Sequence, residues 1–422
     1  MDLEALENGA RRAALQVVAR MLEQRLNADH SDEQEPPRCG CQQAARFAGR
    51  KAKTFQSVLG ALTLERAYYH CPACQRGFCP RDRDWGLEGS SLTPGVVRMV
   101  AAVGAAVSFE EGRQLLEELS GVAVDAKQIE RTAEAVGRQV AADERQQTVP
   151  LSATAPAPTL YLGVDGTGVP MRAEEVAGRR GKQPEGTAKT REVKLCVVWS
   201  AEGRDSQDRP VRDPGSVSYS AAIESAAALE TEAAGSKFYQ RVARETARRG
   251  FLRAQRRVIL GDGAPWIWNL AQELYPDALQ IVDRWHVKEH LSQVSHALYG
   301  FASSRARAWR ERRFQELDSG CFQALLRAVA RQARREEARK LLGYLKSNRS
   351  RLDYPRFEAL GLCTSSGVVE AGCKVVIGTR LKRAGMRWSL PGANAIIALR
   401  CCRLSGRFQD FWERRAELKR VA

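Results

Sequence analysis

The sequence lacks the long apolar runs by which membrane-spanning and secreted proteins are recognised. Its longest apolar stretch, Val96 to Phe109, includes Arg98 and is too short to cross a bilayer as a helix. The first ten residues, MDLEALENGA, are acidic and contain no apolar core of a signal peptide. These absences argue against membrane insertion and secretion, and we expect a cytoplasmic protein with no membrane partner.

Acidic residues are scarce relative to basic ones. The 422 residues include 66 lysines and arginines against 50 aspartates and glutamates, which gives a formal net charge of +16 at pH 7. A basic surface attracts phosphates and releases their counterions, so this excess favours nucleic acid as a partner. A chain of this length has room for two or three domains with a well-buried core.

The cysteines do not follow the pattern of a disulfide framework. There are eleven of them, an odd number in a long chain, and most of the seven without metal-ligand spacing lie in apolar segments as small hydrophobic residues. Four others have the spacing of metal ligands and predict a structural zinc site: Cys39, Cys41, Cys71 and Cys74.

A predicted hairpin connects the two cysteine pairs. Two alternating runs flank Gly60, and the second run leads into the second pair, as in a zinc ribbon. The first pair has one intervening residue where two to four are usual. Either Cys79 or His70 could therefore replace one ligand.

The segment from Thr93 to about Val140 has a helical pattern. It is interrupted by a turn at Ser120 and Gly121, and Asp125 is placed to cap the next helix with Gln128 at the capping-box position. Two helices joined by a short turn that contains glycine resemble a helix-turn-helix. A polar linker, residues 146–159, follows.

Carboxylates follow three predicted strands beyond the linker. Asp165 ends the run LYLGV, Asp262 follows VILG, and Asp283 follows ALQIV, whereas Glu370 opens a later helix. The carboxyl ends of parallel strands meet at one edge of a sheet, where sites are usually built. Carboxylates gathered there repel one another unless a cation joins them, and oxygen ligands select Mg²⁺ or Mn²⁺. Two such ions suit phosphodiester displacement.

Several long strings resemble one known family. YLGVDGTGVPM, GRRGKQPEGTAKTREVKL, LGDGAPWIWNL, IVDRWHVKEHL and SSGVVEAGCKVVIGTRLKRAGMRWS, with GANAIIALRC after them, are similar to transposases of the ISKra family of bacterial insertion sequences. That family belongs to the DDE group, whose catalytic core is RNase H-like. The resemblance extends from about Cys39 to Trp412.

The resemblance implies a set of roles. Asp165, Asp262 and Glu370 are expected to be the catalytic triad that binds two Mg²⁺ or Mn²⁺ ions. Asp283 and His286 match the Asp-x-x-His element that lies beside the triad in Mutator-like relatives. The expected partners are the inverted repeats at the transposon ends, target DNA and further copies of the chain, in a bacterial cytoplasm.

The expected fold is α/β, with an RNase H-like core interrupted by an all-helical insertion. The divisions are a helix and zinc ribbon at 1–90, a helix-turn-helix-like region at 91–150, the first part of the core at 159–295, the insertion at 296–360 and the C-terminal core helices at 361–422. The glycines after Asp165 are expected to let the chain turn sharply beside the metals.

Basic and aromatic side chains near the carboxylates are expected to contact DNA. A glycine-rich basic loop follows Asp165 and is well placed to hold backbone phosphates. Trp388 could stack on a splayed base, although packing between helices is the more common use of such a residue. The expected DNA-binding residues are Arg179, Arg180, Lys182, Lys189, Arg191, Arg387 and Trp388.

Three other functions fit part of the pattern. VDGTG after a strand suits an actin-like or sugar-kinase ATPase. HVKEH matches the inverzincin peptidase motif, with His286 and His290 on zinc, Glu289 as base and Glu370 as a third ligand. A zinc-ribbon DNA-binding regulator without catalysis is the third alternative. The ATPase would leave the cysteine pairs, the excess of basic residues and Glu370 unexplained, and the peptidase would assign no role to Asp165 or Asp262.

Overall fold

The protein is described by a computed structural model that covers residues 2–33, 36–147, 156–179, 186, 188–226 and 236–421, with side chains to 416. Most of the predicted linker, 148–155, lies outside these ranges. The chain divides into two compact units. The N-terminal unit comprises residues 1–140 and 407–422, and the sheet unit comprises residues 141–406. The C-terminal segment thus groups with the N-terminal unit, although the sequence division assigns it to the core.

Helices and strands alternate in a mixed α/β arrangement. In chain order they are α1 (Leu3–Asn27), β1 (Arg46–Ser57), β2 (Gly60–His70), β3 (Gly77–Phe78), α2 (Pro80–Asp84), α3 (Pro94–Ala106), α4 (Phe109–Ser120), α5 (Ala126–Gln146), β4 (Thr159–Pro170), α6 (Ala173–Val176), β5 (Thr190–Trp199), β6 (Gly203–Arg204), β7 (Pro210–Val211), β8 (Ser218–Ala222), α7 (Lys237–Arg248), β9 (Arg256–Gly261), α8 (Pro265–Leu274), β10 (Leu279–Val282), α9 (Arg284–Tyr299), α10 (Ser304–Asp318), α11 (Phe322–Ala330), α12 (Glu336–Ser347), α13 (Tyr354–Ala359), α14 (Gly367–Gly372), a π-helix (Cys373–Gly378), α15 (Thr379–Leu381), α16 (Leu390–Leu404) and α17 (Phe408–Val421).

The N-terminal unit contains the predicted hairpin. Strands β1 and β2 are antiparallel, with Ser57 opposite Gly60, and β3 extends them to a three-stranded sheet. Gly60 has φ +112°, a left-handed conformation that favours glycine at this turn. Phe55 and Leu62 pack with Ala19 of α1, so the hairpin and the first helix share one apolar cluster.

The turn between α4 and α5 has the predicted chemistry with one difference. Gly121 ends α4 in the left-handed conformation with φ 70°, and the Asp125 carboxylate accepts the Gln128 backbone N–H at 2.9 Å. The Gln128 side chain does not close a capping box, because its amide donates to Ser91 at 2.8 Å. That alternative partner comes from a distant part of the chain.

The sheet unit is built on five strands in the order β10-β9-β4-β5-β8. Strand β5 is antiparallel to both its neighbours, β4 and β8, whereas β9 and β10 run parallel to β4. Helix α14 packs on the face of β5 that carries Leu195 and Val197, since a Cβ on Gly372 would lie 3.0 and 3.3 Å from them. Cys196 points to the other face, where α7 packs. The core therefore lies between helices on both sides of the sheet.

The segment after α9 is helical, as the sequence predicts. Residues 300–359 contain α10 to α13 and no strand. Helices α10 and α12 pack against α9, which holds this segment against the β10 side of the unit. Within the described ranges, no helix combines the length and apolarity needed to cross a bilayer.

Candidate metal-binding sites

The N-terminal unit brings four cysteine sulfurs together. Cys39 Sγ lies 3.5 Å from Cys74 Sγ, and Cys41 Sγ lies 3.6 Å from Cys71 Sγ. All four sulfurs lie within 4.8 Å of one another. Four thiolates about 2.3 Å from a tetrahedral zinc ion would be separated by about 3.8 Å, so the group could hold a structural metal such as zinc.

Two similar backbone turns place these sulfurs. Gln42 and Gln75, each directly after the second cysteine of a pair, adopt positive φ values of 65° and 59°. In the second turn, the Gln75 N–H donates to the Cys71 carbonyl at 2.9 Å. Backbone N–H groups of Cys74 and Ala73 hold the pKa of the Cys71 thiol at about 7, which favours the thiolate that a metal requires.

The tight first pair needs no substitute ligand. The group of four consists of the two predicted cysteine pairs, and neither Cys79 nor His70 belongs to it. Cys79 instead precedes α2, and burial raises the pKa of its thiol.

Three aspartates of the sheet unit are adjacent by strand register. Gly163 of β4 is opposite Leu260 of β9, and Val282 of β10 is opposite Gly261 of β9. Continuing these registers sets Asp165 beside Asp262 and Asp262 beside Asp283 at one edge of the three parallel strands. The predicted convergence of the aspartates is therefore present in the sheet.

The segment around Asp165 differs from the prediction. The expected turn after Asp165 is wrong, because β4 continues unbroken to Pro170 and Asp165 pairs with Leu195 inside the strand. Gly166 and Gly168 serve side-chain packing instead. A Cβ on Gly166 would lie 2.4 Å from the Glu192 carboxylate, and one on Gly168 would lie 3.0 Å from Thr190 Oγ1.

Asp165 is partly buried beside another acid. The Cys373 thiol donates to its Oδ2 at 3.3 Å, and the Gly166 N–H donates to its Oδ1 at 2.6 Å. Burial raises the pKa of Asp165, and the neighbouring charge of Asp262 raises it further. A divalent cation between the two carboxylates would remove this repulsion, so the donors fit a hard metal ion.

The Asp262 loop is held by the helical segment. Its carboxylate accepts the Ala264 N–H at 2.9 Å, and its carbonyl accepts the Tyr344 hydroxyl at 2.8 Å. Gly263 has φ +92°, and a Cβ there would lie 2.4 Å from the Tyr344 ring. Tyr344, on α12, therefore requires glycine after Asp262 and fixes the loop that carries this carboxylate.

Asp283 caps α9 and ties it to the chain before α14. Its Oδ1 accepts the Trp285 N–H at 2.7 Å, and its Oδ2 accepts the Ser366 N–H at 3.0 Å and the Ser366 hydroxyl. Both oxygens of this buried side chain are thus engaged by protein groups. His286 lies one turn along α9, close enough for its charge to affect Asp165.

Glu370 is carried by α14, which packs closely on β4. A Cβ on Gly163 would lie 2.1 Å from Val369, so the absence of a side chain there admits the helix. Glu370 itself points outward, with 66 % of its side chain exposed, and forms an ion pair with Lys374 at 2.7 Å. Among the described residues, only the four cysteines form a group of three or more ligands close enough to share a metal ion, so Asp165, Asp262 and Glu370 do not form such a group in this structure.

The predicted DNA-binding residues lie in different environments. Arg179 and Arg191 line a cavity of about 360 Å³ with Lys194 and Glu224, and burial lowers the pKa of Arg191. Lys189 and Arg387 are exposed. Two predicted residues of the basic loop lie outside the described part of the chain: Arg180 and Lys182.

Trp388, which is among the predicted DNA-binding residues, packs in the structure, as the more common use of such a residue suggests, and is not placed to stack on a base. The side chain is 7 % exposed, and its indole N–H donates to the Leu381 carbonyl at 3.0 Å. The Arg380 guanidinium lies 5.1 Å from the ring centroid. Trp388 packs the chain before α16 against the core and has no face open to a ligand.

Two residues that contact the predicted aspartates were not predicted from the sequence. Cys373, three residues after Glu370, has no signal of its own in the sequence, because its contact with Asp165 spans 208 residues. It begins a π-helix, a form that is frequent at functional sites. Tyr344 carries no such signal, because its contact with Asp262 spans 82 residues.

The two histidines of HVKEH are close but lack the rest of a zinc site. The rings of His286 and His290 are 4.8 Å apart, and His286 Nδ1 lies 3.8 Å from the Glu289 carboxylate. Burial and the charge of His286 lower the pKa of His290. Glu370, the expected third ligand, pairs with Lys374 instead.

Comparison with known proteins gives limited matches. Residues 242–416 match the model of an uncharacterised protein family, UPF0236, a range that contains Asp262, Asp283 and Glu370 but neither Asp165 nor the four clustered cysteines. No curated protein matches the chain. Among solved structures, the Drosophila P element transposase strand transfer complex aligns with a TM-score of 0.26 and 10 % sequence identity, over 76 % of this chain and 80 % of that one. A likeness of this extent carries no argument about function.

Proposed function

We propose that the protein is a DDE transposase of a bacterial insertion sequence, similar to those of the ISKra family. It would bind the terminal inverted repeats of the element and catalyse metal-dependent strand cleavage and strand transfer. The observation that carries the proposal is the register of β4, β9 and β10. This register sets Asp165 beside Asp262 while α14, with Glu370, packs on the same strand through Val369.

The order of the strands supports an RNase H-like core. Within the five-stranded sheet, the antiparallel strands β4, β5 and β8 come first in chain order, and two strands parallel to β4 follow with helices between them. The all-helical segment α10 to α13 lies between the second aspartate and the glutamate. This is where the resemblance places an insertion.

The residues at this edge fit two divalent ions. Asp165, Asp262 and Glu370 would hold Mg²⁺ or Mn²⁺, which supply the Lewis acid for in-line displacement at phosphorus. Cys373 and Gly166 hold the Asp165 carboxylate by hydrogen bonds, and Tyr344 holds the Asp262 loop. Asp283 would act by positioning the segment that carries Glu370, because its carboxylate joins α9 to the chain that leads to that residue.

The partner that best accounts for the charge is DNA. Arg179, Lys189, Arg191 and Arg387 would contact backbone phosphates near the carboxylates, which positions DNA without reading its sequence. The cysteine group would hold a structural zinc ion, and the ribbon with helices α4 and α5 would recognise the terminal repeats. More than one copy of the chain is needed to hold two transposon ends, in the bacterial cytoplasm.

The two other enzymatic functions find less support. An ATPase of the actin-like type would use Gly-Thr-Gly as a phosphate-binding turn, but these residues lie within β4 and Lys382 donates to Thr167 Oγ1. A peptidase would leave Asp165 and Asp262 without a role. A zinc-ribbon regulator shares the DNA-binding features and differs in having no cleavage activity.

The test uses DNA that carries the inverted repeats flanking the gene. The wild-type protein with Mg²⁺ or Mn²⁺ is expected to nick this DNA at the repeat boundary, and a folded Asp262→Asn variant is expected not to. Asp277→Asn, which changes an exposed aspartate beyond the other end of α8, serves as the control and should cut normally. Tight, specific binding without cleavage by the wild type would instead indicate a regulator.

A further inference from the structure

A groove of about 460 Å³ lies beside the start of α9, where no function has been assigned. One wall is formed by the first turn of α9, with Trp285 and Lys288, and another by the chain from Leu362 to Val368. Asp283 and Ser366 join the two walls, and the Arg284 N–H donates to the Thr364 carbonyl at 2.9 Å. The groove is therefore a preformed part of the sheet unit.

Trp285 is unusual in being an exposed tryptophan. Its side chain is 65 % exposed, and among the described residues it is the one tryptophan with a largely exposed side chain. Lys288 lies 5.2 Å from the ring centroid, which places a cation next to the indole. An exposed ring beside cations is the arrangement that binds unpaired bases by stacking, because every base has a π face.

The lining of the groove carries a small excess of positive charge, because two of its arginines, Arg209 and Arg284, pair with its two carboxylates. Four cationic side chains line it against two carboxylates. Arg284 and Lys288 share Asp318 and are thereby held in place, whereas Arg212 is exposed at the rim.

We propose that this groove binds an unpaired nucleotide of a DNA strand, with Trp285 stacking on its base. Arg212 and Lys288 contact the adjoining phosphates. The inference rests on the proposed function and extends it, because it assigns to Trp285 the base contact that the buried Trp388 cannot make. Duplex DNA does not need this contact, since its bases are already stacked.

The test compares single-stranded and duplex DNA. Binding of a fluorescent twelve-nucleotide oligothymidylate and of a blunt duplex is measured by anisotropy at one fixed salt concentration. Trp285→Ala is expected to weaken single-strand binding about tenfold, as loss of one stacked base implies, and to leave duplex binding within about twofold. Trp285→Phe should retain most of the affinity, and Arg212→Gln should lower the salt dependence of single-strand binding.

Phe301→Ala is the matched control, because Phe301 is an 85 % exposed aromatic residue outside the groove. It should leave both affinities unchanged, and thermal unfolding should show that every variant is folded. Equal loss on single strand and duplex, or no loss in Trp285→Ala, would overturn the groove proposal while duplex binding still supports the function. A change in oligomeric state without a change in DNA affinity would identify the groove as a protein interface. If the wild type bound no DNA of either form, the proposed function would itself fail.

Discussion

The two candidate metal sites differ in how their ligands are assembled. The four cysteines come from two short turns, one before β1 and one after β2, and their sulfurs lie within 4.8 Å of one another. The carboxylates come from two strands and a helix separated by about two hundred residues, and Glu370 is turned toward Lys374. The first site is complete in the fold, and the second has its aspartates in register but not its glutamate.

The chemistry of the ligands explains this difference. Neutral thiols can approach one another without a metal, and a zinc ion then contributes to folding. Charged carboxylates repel at short distance, so a site made of them stays open until cations and substrate arrive. The cysteine group is thereby preformed, whereas the proposed carboxylate site would close only when cations bind.

The largest expected effect is on the cysteine group. Cys71→Ser should remove bound zinc, from about one ion per chain to nearly none, and unfold the hairpin, because closed structural sites depend on every ligand. Zinc content by atomic absorption and limited proteolysis of the N-terminal unit would measure this. Cys79→Ser, outside the group, should keep the zinc, and an equal loss in that variant would contradict the assignment.

A smaller effect is expected where α14 packs on β4. Gly163→Ala would place a methyl group against Val369 and Trp199, which we expect to destabilise the sheet unit by about 1–3 kcal/mol and to reduce cleavage. Chemical denaturation would measure the loss. Gly343→Ala is the control: a Cβ there meets nothing within 4 Å inside α12, so stability should rise by about 0.5–1 kcal/mol. If both variants changed the free energy of unfolding in the same way, the close contact between Gly163 and Val369 would not contribute to stability.

The smallest expected effect is on the orientation of Glu370. Lys374→Met removes an exposed ion pair of about 0.3–0.5 kcal/mol and should lower the Mn²⁺ concentration for half-maximal cleavage about twofold, because Glu370 is released. Lys340→Met removes a similarly spaced pair with Glu336 on α12 and should not alter the metal dependence. A shift of the same size in both variants would mean that the net charge of the protein, and not the orientation of Glu370, sets this Mn²⁺ concentration.

The sequence predicts the parts of each site that depend on local pattern. The cysteine spacing predicts the ribbon, and apolar runs followed by Asp262 and Asp283 correctly predict strand ends. It does not reveal that β4 continues past Asp165, because glycines are rare inside strands and here admit side chains from β5. The burial of Trp388 and the Tyr344 contact depend on residues distant in sequence, and local pattern carries no information about them.

The most direct test of the account is to locate a divalent ion on the polypeptide itself. Fe²⁺ with ascorbate and peroxide, in place of Mg²⁺ and with the DNA bound, would cut the chain next to the ion, and mass spectrometry would identify the cuts. We expect cuts close to Asp165, Asp262 and Glu370, suppressed by excess Mg²⁺ and lost in Asp262→Asn. Cuts confined to the region of His286 and His290, unchanged in Asp262→Asn, would contradict the proposal that these three carboxylates form one metal site.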